Sequence, residues 1–304
     1  MDGIIPLYKE RGMTSNDCVR HCRQILKMKR VGHSGTLDPN VNGVLPICVG
    51  RATKVVNYLM DSGKVYTGEI IFGLATATQD LDGQVIEKKS LDKPLTSNEI
   101  NTAMQQLTGD LIQVPPLYSA VKVNGRRLYM YARLGIPVQR PKRRIQVNYF
   151  RQSKPAEFDP QKHWQKCYFE VSCGKGTYIR TLASDLGKLL RVPAVMSSLT
   201  RKKSGGFELS QTISLQFLKR IVQTDQLSKF IYDWDIALKK YQHYQLSAAE
   251  WQKVKNGGFL KLDLFSKQLV LTYQHKSRCI YQFDQSRKLY IPEQMIDLRE
   301  ENQL

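Results

Sequence analysis

The sequence predicts an α+β protein: one large body of interspersed helices and strands, with a small β-rich unit at the C-terminus. Three observations carry this. Capped amphipathic segments alternate irregularly with short period-two runs, hairpin-type turns join some of those runs locally, and the last sixty or so residues read mainly as short strands. The chain has 304 residues, 41% hydrophobic and 24% charged, and at roughly 150 residues per domain that suits a large and a small domain. This composition excludes a disordered or collagen-like chain.

In chain order, Thr14 to Met28 reads as a helix, with Thr14 or Ser15 as N-cap and Asp17 in its first turn. Val19, Cys22 and Leu26 share one face, and Gly32 follows a basic end. His33 to Gly43 is rich in turn formers and is expected to be a loop. Val44 to Val49 then suits a buried strand, Arg51 to Met60 a helix, and Val65 to Phe72 an alternating strand. Asp82-Gly83 turns into a run over Gln84 to Glu87, expected to close a hairpin with the preceding strand. Thr96 to Leu107 is the clearest helix, with a Thr96/Glu99 capping box and Gly109 past its end. Asn124-Gly125 marks a hairpin after Ala120 to Val123. Cys167 to Cys173 is a strand, and the Gly174 to Gly176 turn leads into a helix near Thr177. Beyond residue 240, Leu246 to Lys255 is a short helix with a Ser247/Glu250 capping box, followed by strand-like runs at Gln268 to Tyr273, Arg278 to Phe283 and Lys288 to Ile291.

Charge narrows the partner. The chain holds 46 Lys and Arg against 27 Asp and Glu, a net of +19, which favours a polyanion over a neutral metabolite. Residues 241 to 304 contribute only +2 of this, so the larger part holds the gripping surface. From Lys122 to Arg151 there are nine basic residues and no acid, interleaved with Tyr129, Tyr131, Tyr149 and Phe150. A merely solvated face mixes signs, whereas one sign plus aromatics suits phosphates and bases. Arg126, Arg127, Arg140, Lys142, Arg143 and Arg144 are the expected RNA contacts. No signal peptide or membrane span is indicated, so the expectation is a cytoplasmic chain with its six scattered cysteines reduced.

Several chemistries lose their usual motifs. Neither Gly-x-x-x-x-Gly-Lys-Ser/Thr nor Gly-x-Gly-x-x-Gly occurs, and there is no Cys-x-x-Cys or His-Glu-x-x-His. Cys18, His21 and Cys22 lack a second ligand pair, and Asp80-Leu81-Asp82-Gly83 lacks the rest of a calcium loop and reads as turn chemistry. No metal and no cofactor are expected.

One residue stands out against the basic background. Between Cys18 and Met60, Asp38 is the sole acid among seven Lys and Arg. A carboxylate on a phosphate-binding surface costs affinity by repulsion. The local residues leave two explanations open: an Asx-type turn before Pro39, or a carboxylate nucleophile or electrostatic stabiliser held extended by Pro39.

The wider pattern bears on that choice. Gly32-His33-Ser34-Gly35-Thr36-Leu37-Asp38-Pro39, continuing through Gly43-Val44-Leu45-Pro46, closely resembles the signature loop of the TruB family, the tRNA pseudouridine(55) synthases. Further blocks fit in order: Lys9 with Gly12-Met13-Thr14-Ser15, Gly50-Arg51-Ala52-Thr53-Lys54, Tyr66, Gly73-x-x-Thr76-x-Thr78-x-Asp80-x-x-Gly83, Pro115 to Lys122, and Gly176-Thr177-Tyr178-Ile179-Arg180. The likeness covers about the first 210 residues, and Leu246 to Phe259 looks like the start of the family's C-terminal domain. Glu10 and Val41 depart from the usual proline and alanine.

The resemblance implies a pseudouridine synthase fold with a mixed, largely antiparallel sheet flanked by helices and loops. It implies a catalytic domain over 1–240, with a basic tRNA-clamping insertion at about 124–151, and a PUA-like RNA-binding domain over 241–304. The implied reaction detaches uracil from C1' of a flipped T-loop uridine (position 55), turns it and rejoins it through C5, with no cofactor or metal. Asp38 would be the catalytic carboxylate and Arg180 its partner. Tyr66 and Tyr178 would border the uracil, one of them helping to remove the C5 proton; Leu199 would line the pocket, and His33 would fill the gap left by the base. The implied partner is the tRNA T arm, bound by a monomer with no obligate protein partner and no membrane. Two rivals share the basic surface: an RNA chaperone that opens tRNA without catalysis, and a guide-RNA-directed synthase, against which the short N-terminus and intact basic insertion argue.

Overall fold

In the computed structural model, which describes residues 1–299, the chain opens with strand β1 (Gly3–Lys9) and helix α1 (Ser15–Leu26). The expected domain at 241–304 therefore has its last residues, 300–304, outside the described residues. Strands β2 (Val31–His33) and β3 (Asn42–Val49) follow, then a 3-10 segment (Gly50–Val55) running into α2 (Val56–Met60). Next come β4 (Lys64–Phe72), the small hairpin β5 (Leu74–Thr76) and β6 (Val85–Lys88), α3 (Ser97–Gln106) and β7 (Gly109–Gln113). A second small hairpin, β8 (Lys122–Val123) and β9 (Arg126–Arg127), leads to α4 (Leu128–Leu134). The long strands β10 (Arg143–Asp159) and β11 (Trp164–Cys173) precede α5 (Ile179–Leu189), β12 (Ala194–Ser204), β13 (Phe207–Glu208) and α6 (Leu215–Gln223). The C-terminal unit comprises β14 (Gln242–Gln245), α7 (Ala248–Val254), β15 (Gln268–Tyr273), β16 (Lys276–Asp284) and β17 (Leu289–Met295).

The main sheet runs β1-β3-β12-β4-β11-β10-β7, with β2 on β3 and β13 on β12. It is mixed and largely antiparallel, as expected; β12 on β3 is its parallel pairing. β11 shows how the sheet is held: its burial alternates along the strand, placing Cys167, Phe169, Val171 and Cys173 in the core. The apolar faces of α3 (Ile100, Ala103, Met104) and α5 (Leu182, Ala183, Leu186) close over them. Truncating a fully buried leucine such as Leu186 to alanine costs roughly 2–5 kcal/mol. A second cluster joins α1 and α6 to β1 and β3. All six cysteines are free and buried.

Helix starts follow the caps. Thr14/Asp17, Thr96/Glu99 and Ser247/Glu250 each form a reciprocal capping box. Other expectations need correction. α1 ends at Lys27 in the left-handed conformation, and Gly32 belongs to β2. The Arg51 to Met60 segment is a 3-10 turn before it becomes α-helical. The β6 run pairs with β5 rather than with β4, because the chain bends at Gly73, whose φ is +107°.

The C-terminal sheet, β14-β15-β16-β17, is seated firmly on the main body. Val270, Ile280 and Ile296 enter one cluster with Ile4, Val44, Val55, Tyr58 and Trp234. Arg51 bridges Asp2 and Asp297, Lys54 Nζ donates to the Met295 carbonyl at 2.6 Å, and the Tyr58 hydroxyl donates to Glu293 at 2.9 Å. The Gly50–Met60 segment therefore holds the two parts together.

Candidate active site

The loop between β2 and β3 carries Asp38, and it is tied down on both sides. Lys9, fully buried at the end of β1, donates through Nζ to the carbonyls of Val41 (2.7 Å), Pro39 (2.9 Å) and Glu10 (3.1 Å). The Ser15 hydroxyl accepts from the Leu37 amide at 2.9 Å and donates to the Leu37 carbonyl at 3.2 Å. Gly43, at φ +117°, packs on the Arg201 backbone, where no side chain fits. A polar anchor at each flank fixes the direction in which Asp38 projects.

Arg180, at the start of α5, receives that carboxylate. Its Nε lies 3.0 Å from Asp38 Oδ2 and its Nη2 lies 3.3 Å from Oδ1, a two-pronged contact. The remaining donors reach the Thr78 and Tyr118 carbonyls at 3.0 Å each and Asp80 at 3.4 Å. Arg180 is only 6% exposed, so it is a fixed fork. Asp80 itself accepts from the Thr78 hydroxyl at 2.5 Å and from the Asp82 amide at 3.1 Å. One guanidinium therefore serves two carboxylates.

Burial lifts the Asp38 carboxyl above its ordinary 3.8, and the charges of Asp80 and Asp82 add to the rise, while Arg180 and Lys9 pull it down. Its side chain keeps 39% of its surface open to the pocket, so solvent moderates the burial effect alongside the guanidinium.

Asp38 opens onto a cavity of about 310 Å3 lined also by Tyr66, Tyr178, Arg180 and Leu199. The expected catalytic residue and four of the five expected substrate-binding residues thus meet in one pocket. Tyr66 comes from β4 and is 7% exposed; the Arg201 guanidinium neighbours its hydroxyl. Tyr178 caps α5, its backbone clamped by Gln113, whose amide oxygen accepts from Tyr178 N at 2.8 Å while its amide nitrogen donates to Tyr178 O at 3.1 Å. Burial raises both phenols. Leu199 lies within β12, opposite Gly68 of β4.

Other expected residues fall elsewhere. His33 lies on β2 opposite Ile47, outside the cavity lining, with a buried Nδ1 that has no hydrogen-bond partner among the described residues; burial, then Arg201, lowers its pKa. Of the basic set, Arg143 reaches the cavity wall. Arg126 and Arg127 lie on the β9 arm of the small hairpin, Arg126 over the Tyr131 ring. Arg140 donates to the Pro115 carbonyl at 3.2 Å, and Lys142 and Arg144 are exposed. Arg143 and Arg144 already belong to β10 of the main sheet.

Sequence reasoning passed over Asp80, Lys64 and Arg201 as site residues. Asp80 stands in the Thr76-x-Thr78-x-Asp80 block, but its Asp-Leu-Asp-Gly continuation has the pattern of a turn. A broader depression of about 1170 Å3 lies along 261–267 of the C-terminal unit, and its lining includes neither Asp38 nor Arg180. Among the described residues, no cluster of His, Cys, Asp or Glu suits a metal.

Comparison with known proteins identifies the family. Residues 23–179 match the family profile described as TruB family pseudouridylate synthase (N terminal domain), and residues 180–239 match tRNA pseudouridylate synthase B C-terminal domain. The chain belongs to the TruB family.

A relative named tRNA pseudouridine synthase B, from Ligilactobacillus salivarius (strain UCC118), is 56% identical over 98% of this chain and 100% of its own length. One of the same name from Pediococcus pentosaceus is 54% identical, again over 98% and 100%. Among solved structures, an archaeal box H/ACA sRNP Nop10-Cbf5 complex contains a chain superposing with TM-score 0.70 at 21% identity, over 97% of this chain and 86% of that one. A Cbf5-Nop10-Gar1 complex gives 0.69 at 24%, over 98% and 84%. These two share the fold. In the TruB family profile, the segment named C-terminal spans α5, β12 and α6 and stops before the β14–β17 unit.

Proposed function

We propose that this chain isomerises the T-loop uridine of tRNA, position 55, to pseudouridine. The observation that carries the proposal is the Asp38 carboxylate, gripped by Arg180 at 3.0 and 3.3 Å and opening on a cavity of about 310 Å3, with room for a nucleobase. The relatives named tRNA pseudouridine synthase B, 56% and 54% identical over nearly the whole chain, favour tRNA over a guided substrate.

In this reading the uridine is flipped out of its stack, at a cost of a few kcal/mol, and enters between Tyr66 and Tyr178 with Leu199 against its edge. Asp38 acts as the catalytic carboxylate, on C6 of uracil or on the ribose, and Arg180 orients it. A tyrosine hydroxyl of the pocket assists removal of the C5 proton, and neutral His33 takes the place of the flipped base. The hairpin and α4 region, from residue 124 through Arg126, Arg127, Arg140, Lys142, Arg143 and Arg144, grips the T arm through phosphates, while loop shape supplies specificity.

Residues 1–240 form the catalytic domain, and 241–304 a PUA-like RNA-binding domain. The enzyme works as a cytoplasmic monomer without metal, cofactor or obligate protein partner. The test is incubation of an unmodified tRNA transcript with the protein and chelator, followed by mapping of pseudouridine. A single new pseudouridine at position 55 supports the proposal; tight binding without any pseudouridine returns the chain to the chaperone reading.

A further inference from the structure

Five cations, Lys64, Arg143, Lys175, Arg180 and Arg201, line the proposed uracil pocket, and they are not equivalent. Arg180 is balanced twice over, by Asp38 and Asp80, so that triad carries a net negative charge before any chemistry. Arg201 is different. It is 1% exposed, lies directly opposite Tyr66 across the β12–β4 pair, and lines the same cavity as Asp38. Its Nε donates to the Val44 carbonyl at 2.8 Å and its Nη2 to the Gly35 carbonyl at 3.1 Å. Among the described residues no carboxylate pairs with it.

Lys64 joins it in the wall, 7% exposed, with Nζ on the carbonyls of Met60 and Ser62 at 2.8 and 3.0 Å. Asp61, the acid that acts on Lys64, is committed to Lys175 at 2.8 Å. Burying an unbalanced guanidinium and ammonium costs several kcal/mol per ion. A binder of neutral uracil has no use for that cost.

Resting on the proposed isomerase reading, we infer that Arg201, supported by Lys64, is the counter-charge for the uracil anion released during the reaction. The C1'–N1 bond breaks with its electron pair left on N1, and the charge spreads over O2 and O4. The negative charge of Asp38 is consumed in the same step, as its oxygen bonds C1' or takes a ribose proton. When C5 bonds C1', Asp38 recovers its charge, and the C5 proton is finally replaced by one on N1, so the product is an isomer. Between the two bonding events the anion resides in the pocket, where a fixed cation is worth far more than in water.

The test uses the full-length protein in single-turnover reactions on tRNA carrying either uridine or 5-fluorouridine at the target. Fluorine withdraws electrons from the detached base and reduces its need for a counter-charge. It also leaves no C5 proton to remove, so consumption of the nucleoside reports bond breaking and rejoining. Arg201→Met should slow the uridine reaction roughly 100- to 1,000-fold, the effect of losing one fixed donor to a developing anion. The dissociation constant for tRNA should stay within about threefold, since one buried cation is not a surface phosphate contact.

The penalty on 5-fluorouridine tRNA should be smaller by about tenfold or more, and Arg201→Lys should recover part of the uridine rate. Lys64→Met, whose partners are carbonyls of its own local turn, should show the same substrate dependence at a smaller size, and it serves if Arg201→Met does not fold. Equal penalties on both substrates would overturn the inference and leave Arg201 as a brace for the Gly35 and Val44 carbonyls. A wild-type protein that makes no pseudouridine would instead overturn the function on which it rests.

Discussion

Replacing Arg180 with methionine tests whether one buried guanidinium holds two carboxylates in place. The substitution keeps side-chain bulk but removes the bonds to Asp38, Asp80 and the carbonyls of Thr78 and Tyr118. Asp38 is 39% exposed and Asp80 13%, so solvent compensates the first more than the second. Stranding one partner of a buried pair costs roughly 3–5 kcal/mol, and the partial exposure here puts the expectation near the lower end, about 3 kcal/mol at pH 7.5.

The pH dependence has a definite sign. Asp38 already has a folded pKa above 3.8, and without Arg180 it rises further. A carboxyl with a raised folded pKa contributes its stability at low pH and loses it as pH rises through that pKa. The gap between variant and wild type should therefore be wide at pH 7.5 and narrow at pH 5. Urea unfolding at the two pH values measures it, and adding Asp80→Asn to Arg180→Met should restore part of the loss by removing one stranded charge. A deficit below about 1 kcal/mol with no pH dependence would refute the shared-fork reasoning.

Other predictions follow from neighbouring contacts. Ser15→Ala removes both bonds to Leu37, the residue before Asp38; it should destabilise by about 1–3 kcal/mol and lower single-turnover rate more than tRNA affinity, measured by quench-flow and filter binding. Arg51→Met strands Asp2 and Asp297 where the C-terminal sheet meets the body. It should lower the urea midpoint and speed proteolytic release of the β14–β17 unit, visible by mass spectrometry. Arg126→Glu with Arg144→Glu should weaken tRNA binding and flatten its log–log salt slope by about 0.7–0.9 per lost phosphate contact; an unchanged slope would remove these residues from the RNA surface.

The parts that were legible in the sequence share a physical character. Capping boxes at Thr14, Thr96 and Ser247 are local, so they fixed helix starts before any tertiary contact was known. The isolated Asp38 was legible because its charge conflicts with its surroundings. Its partner Arg180 is 142 residues away, and only the family resemblance paired them. Strand β1, GIIPLYK, carries an apolar run broken by Pro6 and no alternation, because both its faces are covered. Strand β10 hides behind basic residues, which occupy its exposed positions while Ile145 and Val147 face the core. Arg201 stands in a basic run with Lys202 and Lys203, where no local pattern marks it as buried, and only the β12–β4 register turns it inward. Asp80 was discounted for the same reason in reverse: an Asx turn explains its bonds to Thr78 and Asp82 but not its reach to Arg180.

The most direct measurement of the central claim is tritium release from a tRNA transcript labelled at uridine C5, with chelator present and no nucleotide added, comparing wild type with Asp38→Asn. Release by the wild type, stoichiometric with one pseudouridine in the T loop, and none by the variant at undiminished tRNA binding, is the predicted result. Tritium release by Asp38→Asn at a rate near the wild type would contradict the account, since the carboxylate would then be a turn residue and not the group that drives the isomerisation.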